Sequence, residues 1–260
     1  MTSATVKSYI KHPSDILGHV QAITTPMTEN TIQTETLDIL AEAKNYNQRI
    51  LQQLLPYVGE SLLEIGCGTG TFTQHFIEKA SHVTALDVVA EYVPKVYQTV
   101  QCPEGKVLDV RCQNVFETTE GIEPVESVVM LNVLEHIEDD MQAVQTLNKL
   151  LLPGGRLMIL VPAHQFLYSD YDRSIHHYRR YTTRSLNQVL TDNGFAIQDS
   201  FYFNFIGIFG WWMRFCLLKK DAMEPASVKL FDKLSPLFGM LEQPFRLPLG
   251  LSVITIATKL

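Results

Sequence analysis

One stretch limits what this chain can fold into: Ser61-Leu62-Leu63-Glu64-Ile65-Gly66-Cys67-Gly68-Thr69-Gly70. A short apolar run reaches an acidic residue and breaks into three glycines at alternate positions. Residues 71–79 follow with apolar side chains at helical spacing. Strand, glycine loop and helix make the first half of a βαβ unit. Glycines are needed where the backbone turns tightly and a ligand must reach main chain with no Cβ in the way. In open α/β sheets ligands sit at the carboxyl ends of strands, which assigns this loop to a ligand.

The spacing narrows the ligand. A dinucleotide fingerprint reads G-x-G-x-x-G and rests a pyrophosphate on a helix N-terminus. Here the order is G-x-G-x-G, residue 71 is Thr, and Glu64 precedes the loop. A carboxylate repels a phosphate but attracts a cationic amino acid. The run resembles motif I of the class I S-adenosylmethionine-dependent methyltransferases, whose cofactor carries an ammonium and a sulfonium.

Further runs extend the reading. Residues 34–55 have helical periodicity, ended by Pro56 and Gly59. His82 to Asp87 is a second strand ending in an acid, 17 positions beyond Gly70. A carboxylate there accepts both hydrogen bonds of a ribose diol, or caps the next helix. Residues 92–100 are helical and 106–112 form a third strand. Residues 125–132 are apolar almost throughout, as a strand buried on both faces should be. That strand opens into Val133-Leu134-Glu135-His136-Ile137-Glu138-Asp139-Asp140, with the two aspartates suited to a helix N-terminus. A helix over 141–152, the turn Pro153-Gly154-Gly155 and a strand over 156–162 complete the pattern.

LNVLEHIEDD is similar to the family's motif IV, and LLPGGRL to the turn before its fifth strand. With Tyr46-Asn47, VPAH, HYRRYT, GWW and GLSVI, the resemblance spans roughly residues 45–260. The set resembles a bacterial subfamily of small class I enzymes described as type 11 or type 12, often found near glycosyltransferase and natural-product genes. It implies a Rossmann-like sheet of seven strands in the order 3-2-1-4-5-7-6, the seventh antiparallel. Residues 196–203 suit strand six and 251–258 strand seven. It also implies S-adenosylmethionine as cofactor, held by Tyr46, Glu64, Gly66, Cys67, Gly68, Gly70, Asp87, Val88, Asn114, Val115 and Asn132. Asn114 would face the adenine amino group, where many members have Asp, and Val115 would pack on the ring.

Residues 34–260 then form one domain, preceded by an arm over 1–33 that is either a lid on the site or a tail. Two insertions, 163–181 after strand five and 204–249 after strand six, exceed what the minimal fold needs and are expected at the acceptor side. The run 201–218 is nearly long enough to span a bilayer. Asn204, Arg214 and two glycines interrupt it, so a strand passing into a core helix is expected, with no integral membrane span. A formal charge of −7 gives no basic footprint for nucleic acid. Four cysteines without CxxC spacing suit free thiols in a reducing compartment. No signal-like segment opens the chain, and a cytoplasmic location is expected.

The expected partner is a small or medium-sized, partly apolar methyl acceptor, with oxygen favoured over nitrogen or carbon. A hydroxyl acceptor needs a base. His136, just past strand four, and His164, just past strand five, are the candidates; each serves otherwise to satisfy local backbone. Tyr168, His176, Tyr178, Arg179 and Trp212 are the candidate acceptor contacts, Arg suiting planar anions. Otherwise the first four belong to a surface strap and Trp212 to the core. No histidine–carboxylate set has metal-ligand spacing along the sequence, so no metal is expected. A nicotinamide-dependent oxidoreductase and a cofactor-binding protein without catalysis are the competing classes.

Overall fold

The computed structural model describes residues 31–242 and 246–260. The arm over 1–33 lies outside them except for its last three positions, which begin a helix. Seven strands form one sheet: β1 (Ser61–Ile65), β2 (His82–Asp87), β3 (Val107–Cys112), β4 (Val125–Leu131), β5 (Leu151–Pro162), β6 (Phe195–Phe203) and β7 (Ser252–Lys259). Their order is β3-β2-β1-β4-β5-β7-β6. The first five run parallel, and β7 pairs antiparallel with both β5 and β6. This is the order expected from the sequence.

The near-continuous apolar strands have their reason in two cores, one on each face of the sheet. Leu63, Met130 and Ile159 join one, and Leu62, Val129 and Leu160 the other. Adjacent residues of a strand point to opposite faces, so both must be apolar where both faces are covered. Helices α1 (Thr31–Ala41), α2 (Lys44–Leu54), α3 (Thr73–Lys79), α4 (Tyr92–Thr99), α5 (Asp140–Lys149), α6 (Asp170–Ser174) and α7 (Thr183–Asp192) supply the cover and the connections. Asp139 caps α5 by accepting from the Gln142 amide at 2.9 Å. That helix stops at Lys149, earlier than its periodicity suggests, because Leu151 already pairs with Val125 across an irregular register. Helix α7 was not among the expected elements. A Thr182–Ser185 capping box starts it, and Leu186 and Leu190 bury its inner face.

The second insertion folds as α8 (Gly207–Trp211), a π-helical turn over Trp212–Leu217 and α9 (Pro225–Glu242). Among the described residues no helix is long and apolar enough to cross a membrane. Helix α9 docks on α2 through polar groups. The Asp232 carboxylate accepts from the Tyr46 amide at 2.9 Å and from Asn45 Nδ2 at 3.0 Å. Arg49 meets Glu242 at 2.7 Å with both side chains nearly buried, and a Cβ on Gly239 would lie 2.9 Å from Arg49 Nε. Removing one member of a buried pair strands the other charge. Glu242→Ala is therefore expected to lower the free energy of urea unfolding by about 3–5 kcal/mol, and the double change Arg49→Leu with Glu242→Leu to recover most of it.

Candidate active site

The loop after β1 hangs from β2. The amides of Gly66 and Cys67 both donate to the Leu86 carbonyl, at 2.8 and 3.0 Å. Gly66 and Gly68 take φ of 76° and 52°, where a side chain is strained, and a Cβ on Gly66 would lie 2.4 Å from Val133 Cγ2. The Gly68 amide donates to Asp87 Oδ2 at 2.8 Å and the Val89 amide to Asp87 Oδ1 at 3.0 Å. Both oxygens of Asp87 are thus oriented by backbone, each with lone-pair capacity left for a ligand. Burial raises the Asp87 carboxyl against these bonds, which lower it.

Glu64 is buried and accepts from Thr73 Oγ1 at 2.6 Å. Burial pushes its carboxyl up to about 8, and the charge of Asp87 adds to the rise. A cationic ligand group beside it would restore the ionised form. Burial also raises the Cys67 thiol and the Tyr46 phenol, the latter bonded to Ser252 and Asn204.

A cavity of about 1590 Å³ opens over the carboxyl ends of the strands. Tyr46, Glu64, Gly66, Cys67, Gly68, Asp87, Val88, Asn114, Val115 and Asn132 all line it. Gly70 does not. Its role is packing, for a Cβ there would lie 2.9 Å from Val100 and 3.3 Å from Val96. Asn114 has both polar ends engaged within its loop, donating to Glu117 at 2.7 Å and accepting from the Phe116 amide at 3.1 Å. Helix α1 reaches over the glycine loop, with Leu37 3.7 Å from where a Gly68 Cβ would stand.

At the acceptor side the first insertion is a strap tied to the loop after β4. The Tyr178 amide donates to the Glu135 carbonyl at 2.8 Å, and Tyr181 and Arg179 both bond the Asp140 carboxylate at 2.8 Å. The strap is held from within by the buried Asp172. Its carboxylate accepts from the amide and hydroxyl of Ser169 (2.8 and 2.9 Å) and from Arg180 Nε (2.8 Å), and lies 3.0 Å from His177 Nδ1. Those partners hold Asp172 below the usual carboxylate range although burial opposes it. The second insertion closes on the strap: Trp211 Nε1 donates to the Leu167 carbonyl at 3.0 Å, and Arg180 lies over its ring at 4.4 Å.

His136 and His176 line the cavity; the other acceptor-side candidates do not. His164 is buried with a φ of 62° and its ring stacked between Phe166 and Tyr202, away from the cavity wall. Tyr168 donates to the His177 carbonyl at 2.6 Å and serves the strap. Tyr178 and Trp212 are about half exposed, at 52% and 47%, and Arg179 is bound to Asp140 and the Glu138 carbonyl. The neighbours Arg180 and Trp211 face inward instead. Sequence reasoning also passed over Glu135 and gave His177 no separate role. Glu135 has 0% exposure, and its carboxylate lies against His177 Nε2 at 3.8 Å. Burial pushes Glu135 up to about 8. Burial and His177 push His136 down to about 3. The ligand atoms of Glu135, His136 and His177 lie within 4.8 Å of one another. The strap carries one of them and the loop after β4 the others, so spacing along the chain held no sign of the group.

Glu64 supplies a pH test. The folded chain keeps its proton up to about pH 8, whereas the unfolded chain releases it near 4.5. Between those limits the folded state binds more protons, so this carboxyl makes stability fall as pH rises, by up to about 1.4 kcal/mol per pH unit. In denaturant titrations at pH 5, 6.5 and 8, Glu64→Gln is expected to flatten that fall. A variant as steep as the wild type would remove Glu64 from the account.

Comparison with known proteins agrees with the architecture. The ubiquinone biosynthesis O-methyltransferase of Xylella fastidiosa (strain 9a5c) is 30% identical over 110 residues, covering 42% of this chain and 44% of that protein. The chain thus spans under half the length of such curated relatives. N-methyltransferase NodS from Bradyrhizobium japonicum WM9, solved with S-adenosyl-L-homocysteine, superposes with a TM-score of 0.56 at 15% identity, covering 89% of this chain and 99% of that one. An S-adenosylmethionine-dependent methyltransferase from Mesorhizobium loti gives 0.57 at 16% identity, with 82% and 98% covered. A family model described as Methyltransferase domain matches residues 39–200, well over half of the chain. The chain belongs to that family, with the fold of the class I S-adenosylmethionine-dependent methyltransferases.

Proposed function

We propose that the chain methylates an oxygen of a small or medium-sized, partly apolar acceptor. The observation that carries this reading is one continuous cavity over the strand ends. At about 1590 Å³ it exceeds the roughly 300–1,000 Å³ of a site for one small ligand, which leaves room for cofactor and acceptor together. Asp87, Glu64 and the glycine loop suit a ribose and a cationic amino acid. Trp211, Phe215, Phe231 and Phe238 give an apolar wall in the same cavity. The name printed for the Xylella relative, an O-methyltransferase of ubiquinone biosynthesis, favours oxygen as the acceptor atom.

S-adenosylmethionine, when bound, supplies a sulfonium methyl group whose sulfur leaves with the bonding pair. The protein has to align the acceptor oxygen with that methyl, keep water out of the line of attack and let the hydroxyl proton leave. Alignment alone is worth up to about 7–11 kcal/mol of barrier in favourable cases. For the proton, His136 by itself is a weak base, being held down to about 3. His177 is better placed, because Asp172 at 3.0 Å from Nδ1 fixes its ring while Nε2 faces Glu135. We place the activation of the hydroxyl at the Glu135–His136–His177 group rather than at His136 alone.

Calorimetry is expected to show binding of S-adenosylmethionine and S-adenosylhomocysteine and none of NAD(H). Asp87→Ala should weaken that binding by about 1.5–3 kcal/mol, as for lost hydrogen bonds to a charged group. Trp211→Ala should raise the KM of phenolic acceptors in a labelled-methyl assay while leaving cofactor affinity unchanged. Nicotinamide binding without sulfonium binding would overturn the reading.

A further inference from the structure

We propose that Glu135, His136 and His177 form a binding site for one divalent transition-metal ion, open toward the acceptor side of the cavity. The inference deepens the preceding one, and only the ion's part in the reaction rests on that reading.

The site is built around a buried carboxylate. Glu135 has 0% exposure, and neither of its carboxylate oxygens has a hydrogen-bond partner. The nearest cation, Arg180, is committed elsewhere: Nε and Nη2 each lie 2.8 Å from Asp172 Oδ1, and Nη1 donates to the Ala163 carbonyl at 3.3 Å. A buried carboxylate in this position must take a proton or a cation.

His177 points to the cation. In the neutral tautomer that directs Nδ1–H at Asp172, 3.0 Å away, Nε2 is left with a lone pair. Nε2 and Glu135 Oε1 then face each other at 3.8 Å. That is too long for a hydrogen bond. It falls within the roughly 3–4 Å that separates two ligand atoms sharing an ion at bonds of about 2.0–2.2 Å. His136 completes the set, its ring against that of His177 with centroids 4.6 Å apart. Since all three ligand atoms lie within 4.8 Å, closure on an ion needs a contraction of about an ångström.

The supporting groups are those of a metal histidine. Asp172 orients the His177 ring from its far nitrogen, as carboxylates do behind metal-bound imidazoles. The His136 ring hydrogen-bonds to backbone of the strap at His176 and Ile175. Two imidazoles and one carboxylate suit Fe²⁺, Co²⁺, Zn²⁺ or Mn²⁺, and leave coordination positions for exogenous oxygen. The acceptor class that fits is a phenol or alcohol with a second oxygen beside the hydroxyl, so that both bind the ion. Bound to it, the hydroxyl loses its proton to solvent water at neutral pH. Its oxygen then forms the new bond to the methyl carbon as the carbon–sulfur bond breaks toward sulfur. The products are the methyl ether, the thioether and one proton.

The test uses the full, tag-free chain stripped with a chelator, and Co²⁺ as the probe. One Co²⁺ per chain should bind with visible d–d absorption bands and be displaced by Zn²⁺. Glu135→Gln and His177→Gln should each weaken Co²⁺ binding at least about a hundredfold and abolish the bands, and Asp172→Asn should weaken it about 10–100-fold. Thermal midpoints of the stripped variants show whether each is folded, and Glu135→Gln, nearly isosteric and uncharged, is expected to melt no lower than the wild type. A folded wild type that takes up no Co²⁺, or a Glu135→Gln variant that binds it as tightly, would overturn the site and leave Glu135 as a protonated acid. Calorimetry with S-adenosylmethionine on the same samples separates the two readings: cofactor binding without Co²⁺ uptake sinks the metal site alone, and Co²⁺ uptake without cofactor binding supports the site while removing the methyltransferase reading.

Discussion

Two backbone amides donating to the Leu86 carbonyl hold the glycine loop against the second strand. The rest of the site depends on that attachment. It brings Gly68 to Asp87 and sets the carboxylate's oxygens by two further amides. Glu64 lies in the strand below, with its charge destabilised by burial. Among the described residues neither carboxyl is paired with a cationic side chain. A ligand with a diol and an ammonium answers both deficits at once, which is how a fold shared by many chemistries becomes selective for one cofactor.

Much of the sheet was legible because its physics is local. Leu62 and Leu63, or Val128 and Val129, are apolar in pairs, and only a strand covered on both faces requires that. The glycine spacing and the acid ending β2 pointed in the same way to residues that line the cavity. Gly70 shows the limit, since spacing cannot tell a glycine that admits a ligand from one that admits Val96 and Val100. At the acceptor side two candidates miss the cavity by one residue. Trp212 and Arg179 point outward where Trp211 and Arg180 point in. Which neighbour faces the cavity depends on the phase of a short helix or strap, and that phase is set by docking rather than by periodicity.

Glu135 and His177 were illegible for a different reason. Their meeting requires the strap to fold back on the loop after β4, a contact 42 residues apart in sequence. The strap does so through bonds that no motif announces, chiefly Tyr178 to the Glu135 carbonyl and Tyr181 with Arg179 to Asp140. His164 was misassigned on the same grounds in reverse: its place after β5 was right, but a left-handed backbone and two stacked rings turn it from the cavity.

Asp172 carries a further consequence. One carboxylate caps α6, neutralises Arg180 and aims His177, so the strap behaves as a single rigid part whose reactive end cannot be retuned piecemeal. The α8–α9 insertion is tied separately, the Glu242 carboxylate meeting Arg49 of α2 and the Ile206 amide. It rests on α2 through Asp232 and the nearly buried Arg49–Glu242 pair, and presents mainly aromatic and aliphatic side chains to the cavity. Chemistry and molecular recognition are thereby assigned to separate pieces of chain. An engineer, or natural selection, can recarve the apolar wall beyond Trp211, at Phe231 and Phe238, without touching the strap.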